Sequence, residues 1–352
     1  MSTQDFYLNR SSSHQRRRAM RPKPATWLRH LLLLSLTLLT ATIAGVLQPF
    51  GSKPIFADAP METWSDIANF FYTLPLNYLV LIVQTLQELA ANRELLAHGL
   101  SFSLSLLFIL TAHEGGHYIA CRIYGVDATL PYFIPTPPMI GPAGTLGAFI
   151  KILSPMPSRR ATFDIGVAGP IAGFIALIPV AILGFLTWQY APPAAAATAA
   201  NVSSELSLGF VFSDPLMMQF LAWISNVDLS LPTVSNPFYF AAWLGLLVTA
   251  LNLIPSGQLD GGHAIYAVFG EKVHYFTGRV AFGVMAVFSV AGFYLYNSPS
   301  GFLFAILLAV MMRIRHPEPL DDTPLDFKRK IVALAVLLIF VLCFVPFPIQ
   351  IK

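Results

Sequence analysis

His113 and His117 stand four residues apart, with Glu114 between them, in the stretch "LTAHEGGHYIAC". Residues i and i+4 of a helix share a face, so both imidazoles point the same way. The pattern H-E-x-x-H has a defined chemistry: two imidazoles bind zinc and the glutamate serves as general base for hydrolysis. The surrounding run, "FSLSLLFILTAHEGGHYIACRIYG" (102–125), begins as a plain apolar helix. Ionisable groups at bilayer depth are costly, about 2.5–3.5 kcal/mol each for Asp, Lys and Arg on insertion scales. Coordination of one cation offsets that cost by withdrawing charge from the carboxylate and using neutral imidazole. The plainer alternative is two histidines bonded to neighbouring helices.

A hydrolytic zinc site needs a third protein ligand and an open position for water. Cys121 continues the same helix face, but it lies about 12 Å along the axis from His113. It therefore reads as a small packed thiol. Asp260 is the better candidate. It closes the apolar run in "LVTALNLIPSGQLDGGHAI" (247–265) and is followed by Gly261 and Gly262. Pro255 removes a helix donor and Gly257 loosens the chain. Irregular backbone at membrane depth is tolerated only where it is buried in protein or lines a watery cavity. The segment 255–262 is thus expected to be broken and site-forming; a helix C-cap with a loop aspartate is the alternative. Asp164, in "FDIGVAGP", is the runner-up ligand, with helix-start capping as its plainer role.

The elements that must position these residues are membrane helices. Of 352 residues, 55% are hydrophobic and 11% charged, against about 25% charged in soluble domains. A net charge of +3 is too small to suggest nucleic-acid binding. Cys121 and Cys343 both lie in apolar runs, so no disulfide framework is expected. Apolar runs cover 31–47, 100–121, 163–190, 237–255, 280–296, 301–312 and 331–347. All but 301–312 are near the length that crosses about 30 Å of hydrocarbon. The run 31–47 is too long for a signal core. The triplet Ala57-Asp58-Ala59 is followed by Pro60, which disfavours cleavage, so an uncleaved anchor is expected.

The run 67–87, with Pro75 and Asn77, is ambiguous, and charge decides it. If it lies along the interface, seven spans with the N-terminus inside place 18 of the 21 Lys and Arg on the cytoplasmic side. If it crosses, the inside number falls to 12. Positive charge favours the inside, hence the first arrangement. The Ala/Pro-rich tract 191–200 reads as loop filler in an external loop, 191–236, that lacks Lys and Arg. The expected organisation is a basic tail over 1–26, an anchor span plus an external or interfacial segment over 27–97, a catalytic membrane core over 98–312, and a cytoplasmic linker with a last transmembrane helix over 313–352.

At these motifs the sequence resembles the site-2 protease family, the intramembrane zinc metalloproteases of peptidase family M50. "HEGGH" (113–117) matches the family's H-E-x-x-H, and "NLIPSGQLDGGH" (252–263) resembles its N-x-x-P-x-x-x-L-D-G element. "FDIGVAGPIAG" (163–173) is similar to the start of its middle core helix. The loop 130–160 resembles the one that in bacterial and chloroplast-type relatives dips back into the membrane. The resemblance implies an all-α polytopic fold of about seven transmembrane helices with a re-entrant β-hairpin loop at 130–155. It implies His113, His117 and Asp260 as ligands of Zn²⁺, Glu114 as the catalytic base, and Asn252 as the residue that holds the substrate or stabilises the intermediate. His263 extends the second element, either as a further oxyanion donor or as a hydrogen-bonded helix-start histidine. The insertion at 60–97 departs from the family core, and there is no room for a PDZ or CBS domain.

The expected partners are membrane-spanning protein substrates and the lipid bilayer, with no nucleic acid. The substrate helix must unwind before attack, and an edge strand within 130–155, with Phe149 and Ile150 beside Gly147, would supply replacement hydrogen bonds. An ordinary Pro/Gly cytoplasmic loop is the alternative there. For Gly169 and Gly173, close helix packing is the preferred reading. The expected location is a bacterial inner membrane or a plastid-type membrane, with the site near the cytoplasmic side. A catalytically silent adaptor or a zinc-binding transporter is the competing function. A transporter would spread polar groups across the full membrane depth, whereas here they cluster at one end.

Overall fold

The computed structural model describes residues 20, 22–54, 63–138, 142–192, 210–314 and 316–351. Most of the basic tail, the triplet 57–59 and most of the Ala/Pro tract lie outside the described residues.

Helix α1 (Pro24–Val46) carries proline in its first turn, where a missing N–H is harmless. Helix α2 (Trp64–Ala91) opens on a capping box in which Thr63 and Asp66 exchange side-chain and backbone hydrogen bonds. Asn92 then caps α3 (Arg93–Tyr124), and Gly125 ends it at φ 67°. Ser158 caps α4 (Arg159–Leu186). Helix α5 (Leu216–Ser225) lies within the long loop read as external and was not foreseen. Asn236 and Pro237 start α6 (Pro237–Leu253). Helices α7 (Asp260–Phe269), α8 (Glu271–Tyr296) and α9 (Ser300–Met311) follow, and Asp326 caps α10 (Phe327–Cys343).

The fold is mainly helical, as expected, and among the described residues two small antiparallel sheets accompany the helices. Strands β1 (Tyr132–Pro135) and β2 (Thr145–Phe149) pair with Tyr132 opposite Phe149 and a register shift between Phe133 and Pro135. Strands β3 (Phe210–Phe212) and β4 (Ile349–Ile351) tie the end of the chain to the long loop. Among the described residues five helices, α1, α2, α3, α4 and α8, are long and apolar enough to cross a membrane.

Long-range hydrogen bonds sort the helix ends into two faces. At one face Met20 N–H donates to Asp127 (2.8 Å) and Arg122 donates to the Met20 carbonyl (2.6 Å). There Arg159 donates to the Ala267 carbonyl (2.7 Å) and Leu320 N–H to the Met156 carbonyl (3.0 Å). Described parts of all four basic stretches, 20–30, 122–162, 264–279 and 313–330, therefore share that face. At the opposite face Asn236 donates to the Gly184 carbonyl (2.9 Å) and Ser213 N–H to the Pro348 carbonyl (3.0 Å). Helix α1 ends at this second face and α3 begins there: a Cβ on Gly99 would lie 2.8 Å from the Thr42 carbonyl. The 28-residue helix α2 lies between them in the chain.

Asp164 does not cap α4, whose cap is Ser158, and it is not in the group of three described residues that could hold a metal. Arg329 grips it through Nε (2.9 Å) and Nη2 (2.5 Å), and the Tyr124 hydroxyl donates to the same carboxylate. This network pins the start of α10 to α3 and α4. Charge-assisted hydrogen bonds are the stronger class, so Arg329→Met is expected to lower stability by about 2 kcal/mol. Thermal unfolding in detergent measures it, and an unchanged midpoint would show that α10 is held by packing alone.

Candidate metal centre

Helices α3 and α4 cross closely where α3 carries the histidines. The α4 face that meets them is Gly169 and Gly173. A methyl group at Gly169 would fall 2.0 Å from His117 Nε2, so only glycine leaves room for the ring. Gly173 stands against His113, where a Cβ would lie 3.1 Å from Nδ1. The G-x-x-x-G packing read from sequence therefore exists, and its purpose is to admit two imidazoles between the helices.

Asp260 reaches the same point from the other side. Residues 254–259 form no helix, Gly257 sits at φ 54°, and α7 begins at Asp260 itself. The broken segment is present, and the aspartate opens a helix rather than closing one. Gly261 lies so near α6 that a Cβ would be 2.0 Å from the Leu253 carbonyl oxygen. The D-G-G sequence is thus a steric requirement for folding the aspartate back under α6.

The three donor atoms form an equilateral triangle. Asp260 Oδ2 is 3.3 Å from His113 Nε2 and 3.3 Å from His117 Nε2, and the two nitrogens are 3.3 Å apart. A tetrahedral zinc with donors at about 2.0–2.1 Å spaces its ligand atoms by about 3.3–3.4 Å, so the donors fit that ion. His113 and His117 are buried and Asp260 nearly so. The other ring nitrogen of His117, Nδ1, lies 2.7 Å from the Ile165 carbonyl and donates to it. That bond sets the tautomer and leaves the Nε2 lone pair for a metal. Among the described residues no other set of three such side chains meets this closely.

Glu114 is 6% exposed and faces the backbone N–H of Ile150, just past β2. Asn252, at the end of α6, brings its Nδ2 within 3.2 Å of His113 Nε2. His263 turns instead toward the linker after α9, with Nδ1 2.7 Å from His316 Nε2. Cys121 is fully buried in a separate apolar cluster. Sequence reading missed the Ile165 carbonyl and the Ile150 N–H, because backbone partners leave no residue-type signal.

Gly169→Ala is expected to lower bound zinc at least about tenfold while the chain still folds. The metal-to-protein ratio after chelator dialysis tests this, and full stoichiometry in the variant would contradict the packing argument.

Two imidazoles and a carboxylate thus surround one point that could hold a metal ion, with a buried glutamate beside them, in a bundle of membrane-length helices. The family model for peptidase family M50 matches residues 101–292, more than half of the chain and all of the residues just described except His316. The chain is similar to the probable zinc metalloprotease EGY2, chloroplastic, of Oryza sativa subsp. indica: 27% identical over 329 residues, covering 86% of this chain and 55% of that protein. It is also similar to the probable zinc metalloprotease EGY1, chloroplastic, of Arabidopsis thaliana: 30% identical over 252 residues, covering 70% of this chain and 43% of that protein. This chain belongs to peptidase family M50, the site-2 protease family, and is a multi-pass membrane protein. It spans about half the length of the curated relatives it matches.

Proposed function

We propose that this protein is an intramembrane zinc metalloprotease that hydrolyses peptide bonds within or near transmembrane segments of membrane-protein substrates. The observation that carries the reading is the 3.3 Å triangle of His113, His117 and Asp260 with Glu114 beside it. His113, His117 and Asp260 hold the metal. When bound, zinc supplies Lewis acidity that polarises the scissile carbonyl and acidifies a water. Glu114 accepts the proton of the attacking water and delivers it to the leaving amine nitrogen as the C–N bond breaks. Asn252 lies beside His113 on the side from which α6 approaches, where its amide N–H can donate to the developing oxyanion. The same chemistry is the one the relatives' names describe, and all three ligands and the base are present, which a silent adaptor would not require.

Seven crossings, by α1, α3, α4, α6, α8, α9 and α10, account for the two-face sorting of the helix ends, with the site near the basic, cytoplasmic face. The β1–β2 hairpin runs beside α1 from His30, whose Nδ1 is 2.8 Å from the Pro131 carbonyl, to Thr40, which donates to the Gly144 carbonyl at 2.7 Å. Ten residues of helix rise about 15 Å, so the hairpin reaches into the membrane as a re-entrant loop. Among the described residues the sheet has two strands, and β2 continues into Ile150 at Glu114. An unwound substrate adds along β2 as a further strand, regaining the hydrogen bonds it lost. The membrane is a plastid-type membrane or a bacterial inner membrane.

The test is cleavage of a single-span test substrate by the purified full chain in detergent. Cleavage stops on treatment with a zinc chelator and returns with added Zn²⁺. Cleavage that survives complete metal removal would sink the assignment.

A further inference from the structure

The linker that leaves α9 does not hang free. Met311 packs its carbonyl against Gly257 of the broken segment, so that a Cβ there would lie 2.5 Å from it. His316 then stacks on Tyr266 of α7, ring centroids 4.2 Å apart and planes within 9°. Its Nδ1 is 2.9 Å from the Pro317 carbonyl, which makes Nδ1–H the donor and leaves Nε2 an acceptor. His263 Nδ1–H donates to that Nε2 at 2.7 Å. Farther on, Leu320 N–H donates to the Met156 carbonyl, and Arg159 N–H to the Asp321 carbonyl at 2.8 Å. The linker therefore bridges α7 and the segment that returns from the hairpin to α4.

Helix α7 needs such a brace. It is ten residues long and has no side-chain cap at its start, yet its first residue is Asp260. His263 is three residues on, over the same face. On one side its Cβ is pressed by α4, where a Cβ on Gly166 would lie 2.7 Å away. On the other side it is tied to His316. A site of this kind works only if its ligands are held to about 0.5 Å by neighbours that are themselves locked.

We propose that His316 is a positioning residue: acting through His263, it holds α7 so that the Asp260 carboxylate meets the two imidazoles. This rests on the metalloprotease reading above. His316 lies outside the family match of 101–292.

The test compares His316→Gln with His316→Asn in the full chain. A glutamine oxygen reaches where Nε2 stands and keeps an acceptor for His263. Asparagine reaches only as far as Nδ1 and leaves His263 without one. The readouts are zinc retained against a competing chelator, the visible spectrum of the Co²⁺-substituted protein, and kcat and KM on the test substrate. His316→Asn is expected to lose zinc about tenfold more readily, to alter the Co²⁺ spectrum, and to lower kcat about tenfold at unchanged KM. His316→Gln stays within about threefold of the native protein in each. Equal behaviour of the two variants, whether both native-like, both impaired or both unfolded, overturns the proposal. The protease reading fails by a different sign: a native protein that binds no metal, or Glu114→Gln that still cleaves.

Discussion

Glu114→Gln keeps its zinc and loses its proteolysis. Glutamine has the shape of glutamate, and its amide oxygen can face the Ile150 N–H as the carboxylate does in the native protein. The three donor atoms, on His113, His117 and Asp260, are untouched. An amide, however, cannot take a proton from water and return it to an amine nitrogen. General acid–base catalysis contributes roughly 10²–10⁴-fold, so cleavage falls by that factor while the metal-to-protein ratio stays at that of the native protein. Metal analysis and substrate turnover on the same preparation read both halves. Turnover within tenfold of native would remove Glu114 from the chemistry and leave the metal site in need of another base.

The second large effect is at Asp260. Its carboxylate is the only donor that crosses from the α7 side, and it stands 3.3 Å from each imidazole nitrogen. Asp260→Asn keeps the volume but replaces an anionic ligand by a neutral amide in a dry site. Even partners one shell removed from a metal change affinity by about 10–100-fold, and loss of a direct anionic ligand is expected to exceed the upper end. Zinc is then lost on dialysis, and cleavage goes with it. Stability supplies an independent reading. A ligand present at about 100 times its Kd stabilises the folded state by about 2.7 kcal/mol. Added Zn²⁺ therefore raises the thermal midpoint of the metal-free native protein and leaves that of Asp260→Asn unmoved. A variant that binds zinc as tightly as native would place the third ligand elsewhere.

Several features of this molecule are legible because they are periodic or local. The pairing of His113 with His117 follows from the helix repeat alone. The positions of the apolar helices follow from their lengths, and the break before Asp260 follows from Pro255, Gly257 and the glycine pair. The grouping of basic stretches at one face follows from the positive-inside bias. The resemblance of the two zinc elements to a known family supplied the assignment of Asp260 as partner of the histidines, which spacing alone left open.

Other features depend on which distant side chains come into contact, and residue type does not rank those contacts. Asp164 carries the same carboxylate as Asp260. One meets Arg329 and Tyr124, and the other meets two imidazoles, because of where α4 and α7 enter the bundle. His263 extends a catalytic element yet bonds to His316, fifty-three residues away. The small β3–β4 sheet joins strands some 140 residues apart and has no strong local pattern on either side.

What the chain by itself determined is therefore the chemistry available: an imidazole pair with a base between them, an aspartate on a glycine hinge, and membrane-length helices to carry them. What only the tertiary structure decided is the coincidence of three donor atoms within 3.3 Å of one another and the identity of their supports. Periodicity is a property of neighbouring residues and can be read along one dimension. A coordination triangle depends on how α3, α4 and α7 pack, and that packing is fixed by the summed contacts of side chains that lie far apart in sequence.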